Sequence, residues 1–153
     1  LLVGHVGDSR AYRLRAGRLQ QITRDHSLLQ EQIDAGLITQ EQAAFSANKN
    51  LVTRAIGVED TVLLETHQHE LQPGDLVLLC SDGLPDMVED EDIHLTISTF
   101  SANLDTVGQQ LIQLSNDNGG RDNISVQLIK VLEPFPARVT LANKLKNLIR
   151  IGT

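Results

Sequence analysis

The chain has 153 residues, 41% of them hydrophobic, with no Trp and only 3% aromatics, so it is one domain or a piece of one, with an aliphatic core. A formal net charge of -7 argues against general binding to nucleic acid. The single cysteine, Cys80, excludes an internal disulfide and fits a reducing cytoplasm, and no apolar run approaches the ~20 residues needed to cross a bilayer.

Leu1 to Val6 predicts a strand that turns at Gly7-Asp8 and returns over Ala11 to Arg15. Ala16-Gly17 is a hairpin signal, and Leu19 to Thr23 a third strand. Tyr12 and Leu14 alternate with Arg13 and Arg15, which predicts an antiparallel sheet with one wet face. Arg10 is assigned an ion pair with a nearby Asp rather than a role in substrate binding. Ser27 is the expected N-cap of a helix, with Gln30 at the capping-box position, an apolar stripe of Leu28, Leu29, Ile33 and Leu37, and Gly36 as its end. Thr39 caps a second helix, Gln40 to about Phe45, and Asn48-Lys49-Asn50 predicts a loop. Thr61 to Leu71 is expected as a long strand, with Val62, Leu64, Thr66 and Gln68 on one face. His67 and His69 lie on the other and, lacking a nearby Cys or third His, are read as a solvated face rather than a zinc pair.

Pro73-Gly74-Asp75 opens a short buried strand, Leu76 to Cys80, in which Cys80 is a small hydrophobe rather than a nucleophile. Ser81-Asp82-Gly83-Leu84-Pro85-Asp86 follows. A helical turn there puts Asp82 and Asp86 on one face, where like charges repel unless a proton or cation lies between them. The alternative is one capping and one solvated Asp at a turn. Met87-Val88 closes the turn. Asp90 to Thr99 predicts a helix buried through Ile93 and Ile97, its acids suiting the N-terminal end. Asn103 or Asp105 caps the next helix, to about Asn116, with Val107, Leu111, Ile112 and Leu114 apolar. Asn118-Gly119-Gly120-Arg121-Asp122-Asn123 leads to a last strand, Ile124 to Leu132. Pro134 and Pro136 break the pattern. Beyond them Val139, Leu141, Leu145, Leu148 and Ile149, with Arg138, Lys144, Lys146 and Arg150, suggest a basic amphipathic helix. It packs on the domain, leads to another domain, or touches anionic lipid, in that order of preference. Three sheet ends thus offer an Asp beside Gly, at Asp8, Asp82 and Asp122, as a hard-cation site built from oxygens requires.

These motifs, in this order, resemble the C-terminal part of the metal-dependent serine/threonine protein phosphatases of the type 2C class, most of all the bacterial branch. The resemblance rests on Gly7-Asp8-Ser9-Arg10-Ala11-Tyr12, Thr23-Arg24-Asp25-His26-Ser27, Asn50-Leu51-Val52-Thr53-Arg54-Ala55-Ile56-Gly57, Ser81-Asp82-Gly83-Leu84 with Asp86, and Asp117-Asn118-Gly119-Gly120-Arg121-Asp122-Asn123. It implies an α+β fold, a four-layer α-β-β-α sandwich of antiparallel sheets flanked by helices. That sandwich is incomplete here, because the family's Asp-Gly-x-Gly-Gly turn and phosphate-binding Arg have no counterpart. Residues 1–133 would be the C-terminal portion of the phosphatase domain, with a flap at about 38–57, and 134–153 a basic tail or linker.

By the same resemblance, Asp82 and Asp122 bind one of two central Mn²⁺ or Mg²⁺ ions, and Asp82, Asp86 and Asp8 hold a weaker third. Ser81, Gly83 and Asn123 support them, Asn123 through its amide, while a bridging Asp belongs to the absent segment. His26 is expected to be structural. Pro85 departs from the Thr, Ser or Trp of family members and is tolerated if it lies in a first helical turn. The implied activity is hydrolysis of phosphoserine and phosphothreonine in proteins by a metal-activated water, opposing a bacterial Ser/Thr kinase. The protein would be a cytoplasmic monomer without nucleic-acid partners, with any membrane contact confined to the tail. The alternatives are a non-catalytic regulatory relative and a phosphatase of a phosphorylated anti-sigma-factor antagonist. This chain alone is expected to be inactive.

Overall fold

The computed structural model describes residues 1–44, 46 and 51–135; Phe45, the Asn48-Lys49-Asn50 loop and the basic tail from 136 onward lie outside the described residues. Strands β1 (Leu2–His5), β2 (Arg10–Arg15) and β3 (Arg18–Gln21) precede helices α1 (Leu28–Asp34) and α2 (Gln40–Ala44). Strands β4 (Glu65–Gln68) and β5 (Leu76–Cys80), helices α3 (Asp90–Phe100) and α4 (Leu104–Asp117), and strand β6 (Val126–Lys130) follow.

The main sheet is antiparallel with strand order β3-β2-β5-β6. Its hairpin turns at Ala16 (φ 48) and Gly17 (φ 77), and positive φ at both central residues matches the twist of the flanking strands. Tyr12 stands opposite Leu78, and Leu78 opposite Leu128, so one pleat face carries a continuous apolar row. Against that face lie Ile93 and Ile97 of α3 and Val107 and Leu111 of α4, all fully buried. With Leu84 and Val88 they make the aliphatic core that the composition requires. Asn103 is the cap of α4, its side chain accepting from the Thr106 N–H, and Asp105 lies inside the first turn.

Several sequence expectations need correction. β1 does not return onto β2; it pairs antiparallel with β4, from Leu2 opposite Gln68 to His5 opposite Glu65, in a separate two-stranded sheet. The expected strand Thr61 to Leu71 is only Glu65–Gln68, because β1 offers it just four partners. The last strand likewise shortens to Val126–Lys130, since residues 124 and 125 belong to the loop contacts beside Ser81. The α1 stripe is not buried: none of its residues is, and Leu37 is 73% exposed.

The ends of α1 and α2 follow the sequence more closely. Ser27 caps α1 by accepting from the Gln30 N–H at 3.3 Å, but the Gln30 side chain turns forward to Asp34 instead of closing the box. At the other end, Gly36 (φ 68) donates to Ile33 and Leu37 to Gln32, the paired bonds of a glycine-terminated helix. The reciprocal box occurs in α2, where Thr39 and Gln42 each accept from the other's N–H. Among the described residues no helix is long and apolar enough to cross a membrane.

Candidate metal centre

The Asp82 and Asp122 loops are joined through backbone. A Cβ on Gly83 would lie 2.6 Å from the Asn123 carbonyl oxygen, so only glycine allows this approach. Ser81 fastens the same junction. Its N–H donates to the Ser125 carbonyl, its hydroxyl donates to the Asn123 carbonyl, and the Ser125 N–H donates to its Oγ at 3.0 Å. Below, the fully buried Ser115 hydroxyl donates to the Gly83 carbonyl at 2.7 Å, and the Asn118 amide donates to Met87. Asn123 takes part through its main chain, its carbonyl accepting from Ser81 and its N–H donating to Asp122. Ser115 was missed, because a serine among helical polar residues carries no sequence mark of burial.

Asp82 and Asp122 each accept from the next residue's N–H with one oxygen, Asp82 from Gly83 at 2.9 Å and Asp122 from Asn123 at 2.6 Å. After Gly83 the chain makes the expected helical turn: the Asp86 N–H donates to the Asp82 carbonyl, and Val88 to Leu84. Pro85 sits inside that turn, where its missing N–H leaves the Asp86 bond intact.

Asp8 lies on the Gly7-Asp8 turn beyond β1. Burial and the nearby Asp82 carboxylate raise its carboxyl above the ordinary aspartate value. A carboxyl whose charge is disfavoured by burial and by a neighbouring carboxylate, at the end of a sheet and with oxygen donors only, suits a hard divalent cation. Among the described residues, however, no three His, Cys, Asp or Glu side chains converge closely enough to hold an ion by themselves. The donor set fits part of a metal site.

The turn bearing Asp8 is gripped by Asp25 and His26. Arg10 donates to Asp25 in a fork, with Nη2 to Oδ2 at 2.7 Å, as the sequence anticipated, and also reaches the Tyr12 hydroxyl. Tyr12 in turn donates to Asp90 at the start of α3. His26 is buried. Its Nδ1 accepts from the Gly7 N–H at 3.0 Å, which leaves the ring proton on Nε2, where Glu65 lies at 2.9 Å and the Arg54 guanidinium at 3.0 Å. The His26 and His67 hydrogen bonds lower the Glu65 carboxyl to about 2. His26 is structural, as expected, and stacks on His5 at 4.8 Å. Burial pushes the Cys80 thiol up to about 12, in keeping with an inert core residue.

Two hollows adjoin these loops. A cleft of about 670 Å³ runs between β1 and the outer face of the main sheet, and Ser9, Ser81 and Ser125 line it. A smaller groove of about 270 Å³ lies between α1 and the Pro85-Asp86 turn, bordered by Arg10, Asp25 and Glu89.

No family model matches the chain. Individual relatives do. It is 38% identical over 128 residues to a putative protein phosphatase 2C-type of Streptococcus pyogenes, covering 84% of this chain and 52% of that protein. It is 41% identical over 133 residues to the serine/threonine phosphatase stp of Listeria monocytogenes, covering 85% and 51%. Among solved structures, the Streptococcus agalactiae serine/threonine phosphatase superposes with a TM-score of 0.79 at 41% identity, over 85% of this chain and 53% of that one. The catalytic domain of the phosphatase PstP in complex with two manganese ions does so with a TM-score of 0.71 at 38% identity, over 86% and 54%. The chain spans about half the length of the curated relatives it matches. Over about half of their length, this chain is similar in sequence and fold to bacterial serine/threonine phosphatases of the type 2C class.

Proposed function

We propose that this protein is a metal-dependent phosphatase that hydrolyses phosphoserine and phosphothreonine in other proteins, in opposition to a bacterial Ser/Thr kinase. The observation that carries the reading is the junction of Gly83 against Asn123, which fixes the loops of Asp82 and Asp122 to each other, with Asp8 electrostatically close to Asp82. Asp82 and Asp122 hold one Mn²⁺ or Mg²⁺ ion, and Asp8 and Asp86 join Asp82 around a weaker one. Further ligands come from the half of the relatives' length that this chain does not span. Such ions supply acidification of a water and neutralisation of phosphoryl charge. The chain's own part is to hold anionic oxygens on short, hydrogen-bonded loops so that little reorganisation accompanies the reaction. Residues 1–133 serve as part of the phosphatase domain, with a flap at about 38–57, and the protein works as a cytoplasmic monomer.

The test is phosphate release from a phosphothreonine peptide by the full-length protein with Mn²⁺. Asp82→Asn and Asp122→Asn should each weaken Mn²⁺ activation more than loss of a mere supporting bond, which alone costs about 10–100-fold in metal affinity. The 153-residue chain by itself should give no turnover. Unchanged Mn²⁺ dependence in both variants would remove the reading.

A further inference from the structure

Asp8 sits between two gripped points, and consecutive residues do the gripping. On one side the Asp25 carboxylate takes the Arg10 guanidinium in a fork. On the other, His26 holds both polar groups of Gly7: its Nδ1 accepts from the Gly7 N–H at 3.0 Å, and its own N–H donates to the Gly7 carbonyl at 2.9 Å. The Gly7 peptide needs such a hold. Its φ of 103 is one of several conformations open to glycine, so the hold selects it, and the next carboxylate faces repulsion from Asp82.

His26 also receives support from outside the turn. Glu65 on β4 meets Nε2 at 2.9 Å, and the Arg54 guanidinium lies 3.0 Å from the same nitrogen; with the Gly7 N–H on Nδ1, the ring proton sits on Nε2 and Glu65 accepts from it. The His26 carbonyl accepts from Thr53, and Leu28 donates to Leu51, which ties residues 51–53 to His26 and to the start of α1. The ring is 6% exposed and stacks on His5, so its orientation is fixed by packing as well as by bonds.

We propose that Asp25-His26 is a positioning clamp that aims the Asp8 carboxylate toward the metal site, with His26 Nδ1 as the acceptor that matters and Glu65 as the group that sets its tautomer. The inference rests on the metal reading of Asp8 above. It assigns His26 no contact with substrate or ion.

The test compares two amides in the full-length protein. Asparagine at position 26 can place its carbonyl oxygen where Nδ1 lies, whereas glutamine reaches the Nε2 position and leaves Gly7 without an acceptor. Mn²⁺ binding is read by titration calorimetry, and the thermal midpoint is measured without metal. His26→Gln should weaken binding at the Asp8 site about tenfold or more, and His26→Asn should stay close to the parent. A merely structural histidine predicts the reverse order, since glutamine retains more bulk and the Glu65 contact. That reverse order, or equal binding by both variants, overturns the clamp. Asp8→Asn serves as the reference. If it weakens Mn²⁺ binding while the His26 variants do not, the clamp fails alone. If Asp82→Asn weakens binding and Asp8→Asn does not, Asp8 is no ligand; the clamp is then overturned, while the phosphatase reading through Asp82 and Asp122 stands.

Discussion

In the metal-free fold Asp8 is a costly residue and Gly83 a required one. At Asp8, burial and the Asp82 carboxylate disfavour the charged form. Its folded pKa is raised above the unfolded value of 3.8, so folding stability is lost as pH rises from there through the folded pKa, and the cost is complete above it. Asp8→Asn should therefore raise the melting temperature in EDTA and reduce the rise that Mn²⁺ produces; differential scanning calorimetry with and without metal checks both signs. Gly83 is needed for space. In Gly83→Ala the new methyl meets backbone, which cannot rotate away, so the loops must part. Overpacking of this kind costs about 1–3 kcal/mol, readable by urea denaturation, and metal binding should weaken with it because Asp82 and Asp122 sit on the two displaced loops.

At the scale of elements, stability is unevenly distributed. Helices α3 and α4 insert Ile93, Ile97, Val107 and Leu111 into the core at 0% exposure, whereas α1 has Leu28, Leu29 and Ile33 only half-buried and depends more on its caps at Ser27 and Gly36. Local opening follows buried apolar contact rather than helix content. Hydrogen exchange should therefore be fastest in α1, which opens on the groove beside Asp86, and slowest in α3 and α4. Equal protection of α1 and α4 amides would contradict this account.

For the whole molecule, two carboxylates tie together stretches far apart in the chain. Glu65 joins β4 to His26, and Asp75, 1% exposed, joins the start of β5 to Arg15 of β2 and to the Gln72 N–H. Both folded pKa values are depressed, Glu65 to about 2 by its His26 and His67 hydrogen bonds and Asp75 chiefly by its Arg15 hydrogen bond. Their contribution is complete above the unfolded values of 4.5 and 3.8 and is lost as pH falls through the folded ones. Denaturant midpoints should decline from about pH 4.5 toward about 2, and Glu65→Gln should flatten the upper part of that decline.

The sequence by itself determined what is local. Caps and turns at Ser27, Gly36, Thr39, Asn103 and Ala16-Gly17 lie where short-range chemistry places them, because a cap or a primed turn is decided within a few residues. The helical turn after Gly83 and the burial of Ile93 and Ile97 were legible for the same reason. Only the tertiary structure decided pairings across long separations. It set β1 on β4 rather than on β2, seated the Ser115 hydroxyl under Gly83, and joined His26 to Gly7 and Glu65. Periodicity says which residues want an interior and not which distant partner supplies it, since the entropy of closing such loops is repaid by contacts that no local window contains.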